Sequence, residues 1–239
     1  IRDYKVTGVQ TCALPIWTTV NFTSPLAIVA GGRPPLASWL KEFLHGRELW
    51  CADSGLAPCV KAGFWPSRLV GDGDSAPPSL WEEALSRKTE VEVFPADKDY
   101  TDLQLALFRA GETGRRHVIV SGCWGGRFDH LWSAVNSALW ALKKGTRVLA
   151  FADHSETLFL LLGGETWEID GGSGLYDVLS LIPLGGDCRG VTLEGARWTL
   201  SGETLSPHRP FAVSNRFLDG KKPRISLEKG ILGVYVGTA

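Results

Sequence analysis

Methionine is absent from the 239-residue chain, and several patterns that would assign a class at once are missing with it. The five cysteines, Cys12, Cys51, Cys59, Cys123 and Cys188, form no CxxC and no paired Cys/His spacing. That pattern argues against zinc and against a disulfide framework, and it suits a reducing, cytoplasmic location. Neither sign of charge dominates, with 25 Lys and Arg against 26 Asp and Glu, a net charge of −1. Without a basic block, binding to nucleic acid or to a charged membrane surface is not expected. Apolar runs such as 157–162 fall far short of the roughly 20 residues a membrane span needs, so no membrane segment is expected either. No GxxxxGK[ST] occurs, which excludes a P-loop nucleotide site. A small-molecule partner is left as the expectation.

The amino-terminal stretch is treated apart. Residues 6–16 (VTGVQTCALPI) match the in-frame translation of a common sequencing-library adapter, so residues 1–16 are set aside as non-native. The lack of Met accords with a truncated reading frame.

From Leu26 to about Ala150, short β-branched or apolar runs alternate with helical patterns, the signature of strand-helix-strand units and a mostly parallel sheet. Strands are expected at 26–30, 49–52, 68–70, 91–94, 117–120 and 147–151, and amphipathic helices at 36–44, 80–86, 101–110 and 129–143. Beyond Asp153, short strands separated by glycines predict a second, antiparallel β-sandwich domain. Strands are expected there at 158–162, 166–169, 176–182, 191–193, 197–200, 211–215, 224–227 and 232–236. The fold class is thus α/β followed by a β-sandwich, with residues 17–152 in the first domain and 153–239 in the second.

The strand ends of the first domain repeatedly carry Gly and Asp, and open α/β sheets bind ligands outside the carboxyl ends of their strands. Gly71-Asp72-Gly73-Asp74-Ser75 follows one strand, and Asp97-Lys98-Asp99-Tyr100-Thr101-Asp102 follows another. Crowded carboxylates repel one another unless a cation neutralises them, and hard oxygen donors without Cys or His favour Mg²⁺. The competing explanation is that Asp and Gly are ordinary turn residues, and that Asp102 caps a helix. A third stretch, Gly122-Cys123-Trp124-Gly125-Gly126-Arg127-Phe128-Asp129-His130, leads into the longest helical pattern. Backbone N–H groups at a helix start attract anions, and Arg127 adds forked donors. Asp129 is equally suited to capping, and packing or orientation is preferred over catalysis for His130.

Taken in order, ADSG, LVGDGDS, DKDYTDLQLAL, SGCWGGRFDH and a β-rich end carrying RWTL and SNRF resemble the thiamine pyrophosphokinase family from about Leu26 to the end. The resemblance implies a Mg²⁺-dependent transfer of pyrophosphate from ATP to the hydroxyl of thiamine, giving thiamine diphosphate and AMP. It further implies a homodimer whose α/β domain holds Mg-ATP and whose β-sandwich domain helps to hold thiamine at a cleft completed by the partner. Carried over motif by motif, Asp72, Asp74, Asp99 and Asp102 would be the catalytic and metal-binding acids. ATP would meet Asp53, Gly125, Gly126, Arg127, Asp129 and His130, and thiamine would meet Trp198, Ser214 and Asn215. Ser54 and Arg216 depart from the family pattern, which carries a second Gly and an acid there. The base stays open among the four acids, because crowded carboxylates titrate jointly. A pyrophosphokinase acting on a hydroxymethyl pterin, or an inactive nucleotide- or thiamine-binding module, are the rival assignments.

Overall fold

A computed structural model of the chain describes residues 16–18, 24–95, 97, 99–169 and 176–238, with backbone only at 16–18. Residues 1–15 of the set-aside segment lie outside the described residues. Two compact units emerge, Thr23–His154 in one, and residues 1–22 with 155–239 in the other.

In chain order the elements begin with β1 (Ile16–Thr18), β2 (Leu26–Val29), α1 (Ala37–Leu44) and β3 (Leu49–Ala52). A 3₁₀ turn over Asp53–Gly55 leads into α2 (Leu56–Lys61), and then come β4 (Arg68–Gly71), α3 (Pro78–Ser86) and β5 (Glu90–Val93). The α/β unit closes with α4 (Asp102–Glu112), β6 (His117–Ser121), α5 (Phe128–Lys143) and β7 (Arg147–Ala152). Its strands pair in the order β7-β6-β2-β3-β4-β5, every neighbour parallel. Strands β2 and β3 are buried along their whole length, as expected when helices cover both faces of a parallel sheet. Helix α2 was not expected from the sequence, because Pro58 lies in it. Pro58 falls in the first turn, however, where a missing N–H costs no helical bond.

The second unit contains β8 (Glu156–Leu162), β9 (Thr166–Ile169), β10 (Val178–Pro183), β11 (Cys188–Glu194) and β12 (Leu200–Leu205). It continues with β13 (Asn215–Arg216), β14 (Arg224–Ser226) and β15 (Ile231–Gly237). One antiparallel sheet runs β13-β10-β15-β8 and the other β1-β9-β14-β11-β12. The buried rings of Phe159 on β8 and Trp167 on β9 meet edge to face at 6.0 Å, joining the two sheets in one core.

Three local expectations differ from the structure. Ile16–Thr18 pairs with Ile169–Trp167 of β9, so Trp17 and Thr18 extend the antiparallel unit rather than the α/β sheet. Residues 197–199 are not strand, because both backbone groups of Trp198 are taken by the side chain of Asn215. Residues 211–214 are not strand, and the left-handed φ of 59° at Ser214, incompatible with a strand, leaves only Asn215–Arg216 as β13.

Candidate active site

The strand ends β2 to β6 open on one cavity of about 590 Å³, wholly within the α/β unit. Gly31 and Gly32 line it after β2, Asp53 and Ser54 after β3, and Asp72, Asp74 and Ser75 after β4. The turn after β5 supplies Tyr100, Thr101 and Asp102, and the loop after β6 supplies Cys123, Gly125, Gly126 and Arg127, with His130 from α5.

Asp53, Asp72 and Asp74 each present a carboxylate oxygen, and these atoms all lie within 4.8 Å of one another. Their closeness has a backbone cause. A Cβ on Gly71 would stand 3.1 Å from the Cβ of Asp53, so only glycine lets the end of β4 draw this near to the end of β3. Asp53 itself is held with φ of 46°, a region that Asp and Asn tolerate better than other side chains. It is only 8% exposed, and its Oδ1 is buried with no hydrogen-bond partner among the described residues.

Burial pushes the Asp53 carboxyl above the ordinary aspartate range, and the neighbouring Asp72 and Asp74 charges add to the effect. The backbone N–H of Ser54 and the Ser75 hydroxyl oppose it. The Asp72–Ser75 turn is fixed by its own side chains: Asp74 N–H donates to Asp72 Oδ1 at 3.1 Å, and Ser75 Oγ donates to Asp74 Oδ1 at 2.8 Å. Three oxygen donors, one of them buried and incompletely hydrogen-bonded, fit a hard divalent cation.

Asp99 and Asp102 stand apart from this trio. Asp102 lines the cavity at the first position of α4, whereas Asp99 is exposed and belongs neither to the carboxylate trio nor to the cavity wall. Helix capping falls to Thr101, whose Oγ1 accepts from Gln104 N–H at 3.3 Å while Gln104 Oε1 accepts from Thr101 N–H at 2.9 Å. This reciprocal capping box relieves Asp102 of that duty.

Across the cavity, Gly125 and Gly126 adopt φ of 72° and 69°, a left-handed turn that brings backbone to the start of α5 without side chains in the way. Arg127 at the N-cap makes no side-chain capping bond to that helix, and a helix start is a favourable place for an anion. Arg127 sits there with its Nε donating to Asp129 Oδ1 at 3.1 Å and its Nη2 to Asp129 Oδ2 at 2.5 Å. The guanidinium holds the Asp129 carboxyl below the usual aspartate range. Asp129 also accepts from His130 N–H at 3.1 Å, and unlike Arg127 and His130 it does not line the cavity.

The residues singled out in the antiparallel unit differ in kind. Trp198 is 55% exposed, with the guanidinium of Arg197 over its ring at 4.9 Å. Asn215 is buried. Its Oδ1 accepts from Trp198 N–H at 3.1 Å and from Arg216 N–H at 2.8 Å, and its Nδ2 donates to Trp198 O at 2.7 Å. The amide is committed to holding Trp198. Ser214 N–H donates to Ser180 Oγ at 2.9 Å, which fixes the left-handed turn ahead of β13.

Two family models cover most of the chain: "Thiamin pyrophosphokinase, catalytic domain" matches residues 41–150, and "Thiamin pyrophosphokinase, vitamin B1 binding domain" matches residues 167–232. The chain belongs to the thiamine pyrophosphokinase family. A thiamine pyrophosphokinase of Bacillus subtilis is 27% identical over 214 residues, 86% of this chain and 94% of that protein. A solved thiamin pyrophosphokinase of Geobacillus thermodenitrificans superimposes with a TM-score of 0.73 at 27% identity, over 90% of this chain and 97% of that one. The Candida albicans thiamin pyrophosphokinase, at 15% identity, shares the fold with a TM-score of 0.72 over 89% of each chain.

Ser75, Tyr100 and Gly31-Gly32 also line the cavity, and the sequence assigned none of them a specific role. The glycine pair right after a buried strand carried a usable signal. Ser75 and Tyr100 carried none, since a polar residue inside an Asp-rich turn looks the same whether it faces solvent or a cavity.

Proposed function

We propose that the chain is a thiamine pyrophosphokinase that transfers the pyrophosphoryl group of ATP to the hydroxyl of thiamine, releasing AMP. One observation carries the site assignment. The Asp53, Asp72 and Asp74 carboxylates and the Gly125-Gly126-Arg127 turn line the same cavity, so acids for a cation and donors for phosphate lie within reach of one polyphosphate.

Asp53, Asp72 and Asp74 would hold Mg²⁺, with Asp102 on the same wall and Asp99 beside it in sequence. When bound there, Mg²⁺ offsets negative charge on the phosphoryl oxygens, the usual electrostatic contribution in phosphoryl transfer. The N–H groups of the Gly125–Arg127 turn and the start of α5 would orient the polyphosphate, and Arg127 would exchange its Asp129 partner for phosphate oxygens. His130 would pack against the nucleotide. The thiamine hydroxyl then attacks the β-phosphorus in line with the departing AMP oxygen, and its proton passes to one of Asp72, Asp74 or Asp102, the candidates among the four acids that line the cavity. Catalysis is mainly positioning and preorganised charge.

Trp198 would offer the free face of its indole to an aromatic ring of thiamine, since Arg197 covers the other. Ser214 would add a polar contact, and Asn215 would act through Trp198 rather than on the ligand. The balanced cysteine and charge pattern supports a cytoplasmic setting, and the resemblance supports a homodimer. Among the described residues no helix is long and apolar enough to cross a membrane. Steady-state assay of AMP release with ATP, Mg²⁺ and thiamine tests the assignment. Thiamine-dependent AMP supports it, and a folded sample that releases AMP only with a hydroxymethyl pterin overturns the substrate.

A further inference from the structure

A buried acid outside the trio stands beside the same cavity. Asp153 follows β7 and is 0% exposed. Its Oδ2 accepts from Arg33 Nε at 3.3 Å and Nη2 at 3.0 Å, and its Oδ1 accepts from His154 N–H at 2.5 Å, with His154 Nδ1 also against Oδ1. Removing a carboxylate from water is costly, and with the Arg33 side chain still 40% exposed the pair offsets only part of that cost. Its location gives the pair a purpose.

Arg33 directly follows Gly31 and Gly32, which line the cavity, while Arg33 itself does not. The strand-end loops of β2 and β6 are stitched backbone to backbone: Ala30 N–H donates to Ser121 O at 2.8 Å, Gly32 N–H to Gly122 O at 2.6 Å, and Arg33 N–H to Trp124 O at 2.6 Å. A Cβ on Gly32 would lie 2.7 Å from Gly122 O, and one on Gly125 would lie 3.0 Å from the Cβ of Arg33. The two glycine walls of the cavity therefore touch at Arg33. From there the guanidinium reaches a third strand end, at Asp153, and anchors both walls to β7.

We propose that Arg33 and Asp153 are positioning residues for nucleotide binding, fixing the Gly31-Gly32 and Gly125-Gly126 backbones at the spacing that receives the polyphosphate of ATP. The inference rests on the nucleotide assignment of the cavity. A forked guanidinium bonded to a buried carboxylate resists rotation in a way a single-point ammonium does not. Displacing a binding backbone by an ångström is enough to weaken productive geometry substantially.

The test uses the full chain and three variants, Arg33→Gln, Arg33→Lys and the double substitution R33M/D153N. Titration calorimetry with Mg-ATP, thiamine KM and melting temperature are measured for each. R33Q should melt lower and bind ATP about tenfold or more weakly, because it removes the fixed cation facing a buried carboxylate as well as loosening the loops. R33M/D153N removes both charges at nearly unchanged volume and keeps an acceptor for His154 N–H, so its melting temperature should lie above that of R33Q while ATP binding stays about tenfold weak. R33K should keep the wild-type melting temperature and bind ATP a few-fold more weakly, roughly in proportion to the lost second hydrogen bond. Thiamine KM should stay within about twofold throughout. Wild-type ATP affinity in R33M/D153N or R33K, or affinity that merely follows melting temperature across the series, would overturn the proposal. Absence of ATP binding by the unsubstituted chain would overturn the nucleotide assignment itself, and that result appears before any substitution is made.

Discussion

The two units handle polar side chains in opposite ways. In the α/β unit, Asp53, Asp72, Asp74 and Arg127 collect where strands end, and the backbone beside them is glycine. None of the four lies in a paired strand, so charge can be concentrated without breaking a ladder. In the antiparallel unit, Asn215 is turned inward to satisfy the backbone of Trp198, and it is the half-exposed indole that is left facing outward. One unit presents charge on loops; the other presents an aromatic surface held by a buried amide. Substitutions should therefore separate chemistry from folding in the first unit and couple binding to folding in the second.

The sharpest way to break that contrast is Asp74→Asn. Turnover should fall at least about 100-fold, the scale of losing one preorganised charge contact, with the melting temperature nearly unchanged because Asp74 is exposed. A melting temperature that collapses with activity would place the acid in the fold rather than the chemistry. In the antiparallel unit, Asn215→Ala should cost about 1–3 kcal/mol of stability by leaving the part-buried N–H and C=O of Trp198 without their side-chain partner, seen as a lower urea midpoint, and should raise thiamine KM as well. Trp198→Ala should raise thiamine KM about tenfold with ATP KM unchanged, since stacking on one aromatic face is worth roughly 0.5–1.5 kcal/mol beyond buried area. Its stability should barely move. Equal effects of the two substitutions on stability would erase the distinction between anchor and contact.

A smaller effect is expected at the capping box. Thr101→Ala removes the acceptor for Gln104 N–H and should cost about 1 kcal/mol of stability, with α4 fraying at the cavity wall and ATP KM rising modestly.

The smallest effect reverses the usual sign. Asp53 holds its proton to higher pH in the folded chain than in the unfolded one, so the folded state binds more protons in that window and stability falls as pH rises through it. With metal chelated, Asp53→Asn should melt about 1–3 °C higher at neutral pH, a small gain on the scale linking stability to melting temperature. The gain should vanish toward acid pH, where Asp53 is protonated in both states. Asn suits the left-handed backbone that Asp53 occupies, so strain does not confound the comparison. Activity should be lost in the same variant.

The division into a parallel α/β sheet and a separate antiparallel region was legible because strand and helix periods differ and because glycine pairs punctuate the second half. Strand ends were legible too, since Gly and Asp stood where buried runs stopped. The partnership of Asp53 with Asp72 and Asp74 was not, because it depends on how closely β4 approaches β3 at Gly71, a tertiary fact with no local pattern. For the same reason Asp99 and Asp102 could not be told from the trio by spacing alone. Asn215 was named only through the family resemblance, and that its amide bonds run to main chain 17 residues away is again a tertiary fact with no local pattern. Helix α2 was hidden by a proline that the first turn accommodates.

The account turns on the acids and the glycine turn serving one reaction, and AMP release measured with ATP and Mg²⁺, in parallel with thiamine and with a hydroxymethyl pterin, tests that most directly. Thiamine-dependent AMP release with thiamine diphosphate formed in equal amount, abolished in Asp74→Asn, is the predicted result. AMP release that requires the pterin, or that survives Asp74→Asn at saturating Mg²⁺, would contradict it.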